Sequence, residues 1–428
     1  MQALRILSLA LLAASATAAF RASAVKIDIT PAKSEYLLGY AARQSTGVND
    51  RIYHRIVALD DGKTQFFLVS SEICLVSPAE YDKVAAALEK QAGVNRLNFW
   101  WTVTHTHSAP EVGPPGLAAA FLGDRYTHPV DSTYTDSVER SLIDGIIEAR
   151  KKLEPARLGA GWGFSMANIN RRARDVEGET TLGLNPDGPA DRRIGLIRLD
   201  RPDGSPIALI SNYAMHGTVL GPANTLISGD AQGIVSEYVE QKIGAPMLYI
   251  NGAAGNLAPI YSVYDNPRSG HLKQFRALLG ERILAANREL RVTTDDVTLE
   301  PAAITVETPL KPGLKPVSEL KDYILPDAGL VRLPVRLLKI NRDIAIWAAP
   351  LELFCEIAME VRDRSPFPHT LYFGYANGWL GYLLTAAELP HGGYEPRVSP
   401  YTARAESDLK NAVLIRLWGR SPDLPSDR

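Results

Sequence analysis

Two histidines one residue apart close an apolar run. If Leu97–His107 is a strand, residues two apart share a face. One face then carries Leu97, Phe99, Trp101, Val103, His105 and His107, and the other Asn98, Trp100, Thr102, Thr104 and Thr106. Ser108-Ala109-Pro110 ends the run. An imidazole pair at the carboxyl end of a strand is either a hydrogen-bonded core pair or a metal or proton-transfer site, because α/β sheets bind ligands beyond those ends.

The pattern recurs. Ile207–Ala214 runs into Met215-His216-Gly217, and Pro246–Ile250 into the glycine-rich turn Asn251–Pro259. Asp343–Ala348 leads through Ala349-Pro350 to Glu352, and His369–Ala376 leads through Asn377-Gly378 towards Tyr382. Several such ends suggest one shared site. Two histidines from different strands plus a carboxylate match a catalytic zinc, which keeps a position open for water. The other histidines carry less. His54, His128, His271 and His369 read as surface or core residues, and His391, in a Pro/Gly turn near Tyr394, as a candidate pocket residue. Arg171 and Arg172 read first as solvated surface arginines. Asp230, after Ser228-Gly229, reads first as a helix N-cap.

Strand-like and helical stretches alternate along the chain. Val25–Ile29, Ile52–Leu59 and Gln65–Ser70 read as strands, and Ala79–Ala92, Tyr134–Lys152, Ala231–Lys242, Leu272–Glu289 and Leu351–Arg362 as helices. Ile194–Leu199 and Ile207–Ala214 flank Asp203-Gly204, a hairpin signal. The expected fold is α/β: a large mixed, partly parallel β-sheet core surrounded by helices, in a single domain. Pro301–Ala328, richer in Pro and Lys, reads as an excursion or weak boundary.

Composition narrows the function. The 428 residues are 46% hydrophobic and 22% charged, with 46 Lys+Arg against 48 Asp+Glu, so no basic surplus exists to hold a nucleic acid. Met1–Arg5 and the short apolar run Ile6–Ala14 precede two small-x-small sites, Ala16-Thr17-Ala18 and Ala22-Ser23-Ala24. This reads as a secretory signal peptide within residues 1–24, cleaved near 18 or 24, outside the fold. The rest lacks an apolar stretch long enough to span a bilayer, so the expectation is an exported protein, periplasmic or secreted. Cys74 and Cys355 are too few for a cysteine zinc site and read as buried free thiols.

Thr104–Pro110 (THTHSAP), Ala167–Arg172 (ANINRR) with Asn185-Pro186, NYAMHG with NTLISGDAQG, NGAAGNLAP, APLELF, ANGWLGYLLT and GGYE occur in an order that resembles the neutral/alkaline non-lysosomal ceramidase family. The likeness runs from about Val25 to Glu395 and implies a zinc-dependent amide hydrolase with one Zn2+ per chain. Matched motif by motif, it implies His105, His216, Glu352 and Tyr382 as zinc ligands. It implies His107, Arg171 and Tyr394 as catalytic assistants. The expected partner is a small-molecule or lipid-like amide, with transient contact at a membrane surface.

Three departures stand out. Ala258 occupies the place of the family's serine, which excludes an acyl-serine route there and leaves a zinc-water route. Ala109 and Glu111 add bulk after the histidine pair. Only 33 residues follow Glu395, so residues 25–428 read as a catalytic domain without the family's C-terminal β-sandwich. The competing readings are a zinc esterase or lactonase on the same scaffold and a degenerate, non-catalytic lipid-binding member. An amidohydrolase barrel fits the Glu352 and Tyr382 contexts poorly.

Overall fold

The computed structural model describes residues 20–113, 126, 128–129, 131–262, 272–291, 293–314 and 320–419. Residues 1–19 and His271 lie outside the described residues.

Three larger sheets enclose a shared apolar interior. The first orders its strands Phe99–Val103, Gln65–Ser71, Tyr53–Asp60, Arg21–Asp28 and Glu154–Pro155. The second runs Met247–Asn251, Pro206–Tyr213, Arg193–Asp200, Arg157–Phe164. The third runs Leu299–Pro309, Leu330–Ile340, Ile344–Ala348, His369–Phe373. Each has one parallel pair at its edge: Gln65–Ser71 with Phe99–Val103, Pro206–Tyr213 with Met247–Asn251, and Ile344–Ala348 with His369–Phe373. The expected mixed, partly parallel core with helices outside is therefore what the chain forms, divided among several sheets.

The inner faces meet in one cluster, with Trp100 and Leu68 from the first sheet, Ile210 and Ile250 from the second, and Ile346 and Phe373 from the third. Outer faces are covered by helices. Pro78–Ala92 and Thr133–Lys151 cover the first sheet, Asp230–Ile243 and Glu281–Glu289 the second, and Cys355–Asp363 and Arg404–Trp418 the third. Pro78–Ala92 shows how locally these helices are specified. Ser77 caps its start by accepting from Glu80 N–H, Pro78 stands at its first turn, and Gly93 ends it at φ 62°. No helix among the described residues is long and apolar enough to cross a membrane.

Several expectations need correction. Arg21–Asp28 is a strand paired along its length with Tyr53–Asp60, and Phe20 is buried, so residues 20–24 belong to the fold. The run Leu97–His107 is a strand only over Phe99–Val103, preceded by a 3-10 turn at Arg96–Asn98. Every residue of that strand is buried, because both its faces are covered. Glu352 is not in a helix. It opens a two-residue strand, Glu352–Leu353, and the helix starts at Cys355. The Pro301–Ala328 stretch starts inside an eleven-residue strand, Leu299–Pro309, paired with Leu330–Ile340. The hairpin around Asp203-Gly204 and the two buried free cysteines are as expected.

Candidate metal centre and active site

The carboxyl ends of all three parallel pairs face one place. Past Phe99–Val103, Thr104 N–H donates to Ser71 O at 2.9 Å and His105 N–H to Ile73 O at 3.0 Å. The chain then turns sharply, with His105 at φ 65°. That left-handed conformation is costly for a residue with a Cβ and marks a site where surrounding contacts impose it. Gly217 lets the next segment in. A Cβ there would stand 2.5 Å from His105 O, and Gly217 O accepts from His107 N–H at 2.9 Å. Asn251, at the end of Met247–Asn251, ties the ends together by donating to Thr104 O (3.1 Å) and Met215 O (3.0 Å). Glu352–Leu353 and Tyr382–Leu383 pair in parallel, with Glu352 opposite Tyr382.

His105, His216 and Glu352 come together. His105 Nε2 lies 3.3 Å from Glu352 Oε2, and His216 Nε2 lies 3.0 Å from the same oxygen. All three are buried. Their possible ligand atoms lie within 4.8 Å of one another. Each imidazole is held through its other nitrogen. His105 Nδ1 is 2.9 Å from Cys74 O, and His216 Nδ1 is 2.7 Å from Ala254 O and 3.1 Å from Leu257 O. A backbone carbonyl can only accept, so it keeps a proton on Nδ1 and turns Nε2 towards the shared carboxylate, where that nitrogen becomes a lone-pair donor once it is deprotonated, the arrangement expected of metal-binding histidines. The donor set therefore fits zinc.

The remaining expected residues surround these three. Tyr382 OH is 3.4 Å from His216 Nε2. His107 Nε2 is 3.2 Å from His105 Nε2, while its buried Nδ1 has no hydrogen-bond partner. Arg171 donates through Nη2 to Tyr382 OH at 3.1 Å and through Nε to Glu395 Oε1 at 3.0 Å. Tyr394 is half-buried, its ring edge-on to Tyr382 with centroids 5.8 Å apart. All seven expected site residues thus lie in one cluster.

Electrostatics follow from burial and proximity. Burial opposes charge on His105, but the Glu352 carboxylate and Cys74 together outweigh it and push the imidazole up to about 10. Burial would raise Glu352, yet His105 and His216 hold it well below the usual carboxylate range. Burial, then Arg171, pushes His216 down to about 4. Burial and the two neighbouring imidazoles push His107 well below its ordinary value. Burial and Glu352 push the Tyr382 phenol up, against Arg171.

Other readings change. Arg171 and Arg172 are buried, not solvated, and share Glu395, with Arg172 Nη1 donating to its Oε2 at 2.6 Å. Asp230 is not an N-cap. Gly229 holds that position, while Asp230, at φ 55°, accepts from Val219, Leu220 and Ala231 N–H. His391 is exposed in a 3-10 turn. His54 is a core residue, between Ser71 Oγ and Val138 O. His128 stacks on Tyr36 and His369 on Trp162. Sequence reasoning missed Glu395, Tyr375, Trp379 and the Cys74 carbonyl. Glu395 sits beside the expected Tyr394 and Trp379 within ANGWLGYLLT, so motif membership was the available signal. The carbonyl had none.

Comparison with known proteins bears on this cluster. Residues 20–254 match the family described as neutral/alkaline non-lysosomal ceramidase, N-terminal. The chain belongs to that ceramidase family. It is 28% identical to neutral ceramidase B of Dictyostelium discoideum over 57% of this chain and 34% of that protein, so it aligns with about a third of that relative's length. It is 26% identical to the neutral ceramidase of Pseudomonas aeruginosa over 93% of this chain and 72% of that protein. The crystal structure of neutral ceramidase from Pseudomonas aeruginosa superposes with a TM-score of 0.75 at 20% identity, covering 96% of this chain and 76% of that one. A ceramidase complexed with C2 gives 0.74 at 18% identity, covering 96% and 78%. These likenesses establish a ceramidase fold.

Proposed function

We propose that this ceramidase-family chain is an exported, zinc-dependent hydrolase that cleaves the amide bond of a ceramide-like N-acyl substrate. The observation that carries the reading is the convergence of His105 Nε2 and His216 Nε2 on Glu352 Oε2, with both imidazoles anchored through Nδ1. Those three residues and Tyr382 would hold the ion. Bound zinc would lower the pKa of a water to near 7 and act as a Lewis acid towards a carbonyl.

The chain's own groups supply the rest. His107, kept neutral by burial and its imidazole neighbours, keeps a ring-nitrogen lone pair 3.2 Å from His105 Nε2, suited to accept a hydrogen bond from the attacking water and to relay its proton towards the leaving amine. Arg171 is a fixed cation whose Nε is held by Glu395, so its charge is oriented before substrate arrives. Such a preset cation stabilises negative charge developing on the carbonyl oxygen. Tyr394 stands beside Tyr382 at the half-buried side of the cluster, suited to a hydrogen bond with substrate. Ala258 follows Leu257, whose carbonyl contacts His216 Nδ1, and it offers no side-chain nucleophile or donor, which favours the water route.

Support for an amide of the ceramide class comes from the relatives, the neutral ceramidases of Dictyostelium discoideum and Pseudomonas aeruginosa. Export rests on the leader-like Met1–Ala18. Cleavage near Ala18 would leave the Arg21–Asp28 strand whole, whereas cleavage after Ala24 would remove half of it. The test is a panel of N-acyl amines, including ceramides, beside matched esters and lactones. Zinc-dependent release of the amine supports the reading. Turnover of esters or lactones alone would move the reaction to another bond.

A further inference from the structure

The two oxygens of Glu352 are treated differently. Oε2 faces the Nε2 atoms of His105 and His216. Oε1 accepts the indole N–H of Trp379 at 2.9 Å. The Tyr375 hydroxyl lies 3.3 Å from Oε2, and its ring stacks on the His105 imidazole, with centroids 4.3 Å apart and planes at 24°. One phenol thus touches two of the three converging residues. Trp379 and Tyr375 are both buried, and both follow His369–Phe373, the parallel neighbour of the strand that leads to Glu352.

Tyr375 adopts this position at φ 51°. A bulky residue enters the left-handed region only where surrounding contacts over-determine it. Those contacts are present: Tyr375 N–H donates to Leu351 O at 3.4 Å and Ala376 N–H to Ala349 O at 3.2 Å. The strained turn is bonded to the same segment that carries Glu352.

A carboxylate can bind a cation through one oxygen or two. An indole N–H is a donor with no acceptor capacity, so it occupies an oxygen without competing for the ion. We infer that Trp379 and Tyr375 are positioning residues for the metal. Trp379 holds Oε1 so that Glu352 presents Oε2 alone, and Tyr375 sets the angle between Glu352 and His105. This rests on the zinc reading above. Partners of this kind around metal ligands contribute about 10- to 100-fold to metal affinity.

The experiment measures zinc dissociation constants by chelator competition for the wild-type chain, Trp379→Phe and Tyr375→Phe. It also records the visible spectrum of each with cobalt(II) in place of zinc, and the Tm of each in chelator. Trp379→Phe is expected to weaken zinc binding by about 10- to 100-fold and to lower cobalt absorption as the second carboxylate oxygen joins the ion. Tyr375→Phe, nearly isosteric, is expected to weaken zinc binding less and to shift the cobalt bands. A purely structural role would lower Tm in chelator and leave the zinc constant and spectrum alone. Wild-type zinc constants and spectra in both variants would overturn the inference. If Trp379→Phe does not fold, Tyr375→Phe decides alone. A wild-type chain that binds no zinc would overturn the metal reading itself, and this inference with it.

Discussion

Arg171 and Tyr382 are joined directly: the guanidinium donates to the phenol oxygen at 3.1 Å, with its carbon 5.7 Å from the ring centroid. The cation that would face a developing oxyanion therefore also orients an expected metal ligand. Glu395 makes this possible by spanning Arg171 and Arg172 with its two oxygens.

Replacing Arg171 should damage chemistry and folding together. Arg171→Met is expected to lower kcat/KM by about 10²- to 10³-fold, the effect of losing one preset electrostatic contact. It should also destabilise the chain by about 3–5 kcal/mol, because it removes one of the two arginines that balance buried Glu395. Arg171→Lys keeps the charge without the two-sided geometry and should fall between. Steady-state kinetics and urea denaturation of the three proteins check this.

Gly39 sets the place of His107. A Cβ at Gly39, whose φ is 113°, would come within 2.4 Å of His107 Cγ. Gly39→Ala is therefore expected to cost about 1–3 kcal/mol in backbone strain and to displace the imidazole. Activity should fall by about 100-fold, the scale of a displaced proton-transfer group. Zinc content should persist, since the three atoms nearest the added Cβ all belong to His107 and none to His105, His216 or Glu352. Metal analysis beside kinetics separates the two effects.

Much of this centre was legible in the sequence, and the misses share physical causes. His105, His107, His216 and Glu352 stand just past apolar runs, so strand periodicity alone brought them to sheet ends. What periodicity cannot give is a left-handed turn at a residue other than glycine, so the alternation reads as a strand up to His107 whereas the strand ends at Val103. Glu352 reads as helical because its apolar neighbours suit either element, and pairing with Tyr382–Leu383 decides for strand. Arg171 and Arg172 read as surface residues because their buried partner, Glu395, lies more than 220 positions away. Tertiary partners of that kind leave no local trace. The division of the core into three sheets was equally hidden, since it depends on which strands pair.

The metal-free chain should carry a pH signature of its buried pair. His105, raised to about 10 by Glu352 and Cys74 against the cost of burial, adds stability in full below its unfolded value of about 6.5. It loses that stability as pH climbs towards 10. His216, pushed down to about 4 by burial and Arg171, acts oppositely and removes stability as pH falls from about 6.5 to 4. Together the two histidines favour the fold most near pH 6.5. In chelator, the Tm gap between the wild-type chain and Glu352→Gln is expected to narrow steadily from about pH 6.5 to about pH 9. Thermal denaturation across that range reads it.

The central claim is that one zinc ion, held by His105, His216 and Glu352, is required for amide hydrolysis. Zinc titrated into the chelated chain, with release of the amine from a short-chain ceramide followed at each addition, tests it most directly. Activity should rise from background and saturate at one zinc per chain, and Glu352→Ala should neither bind the ion nor recover. Full hydrolysis by the metal-free chain, or by Glu352→Ala, would contradict the account.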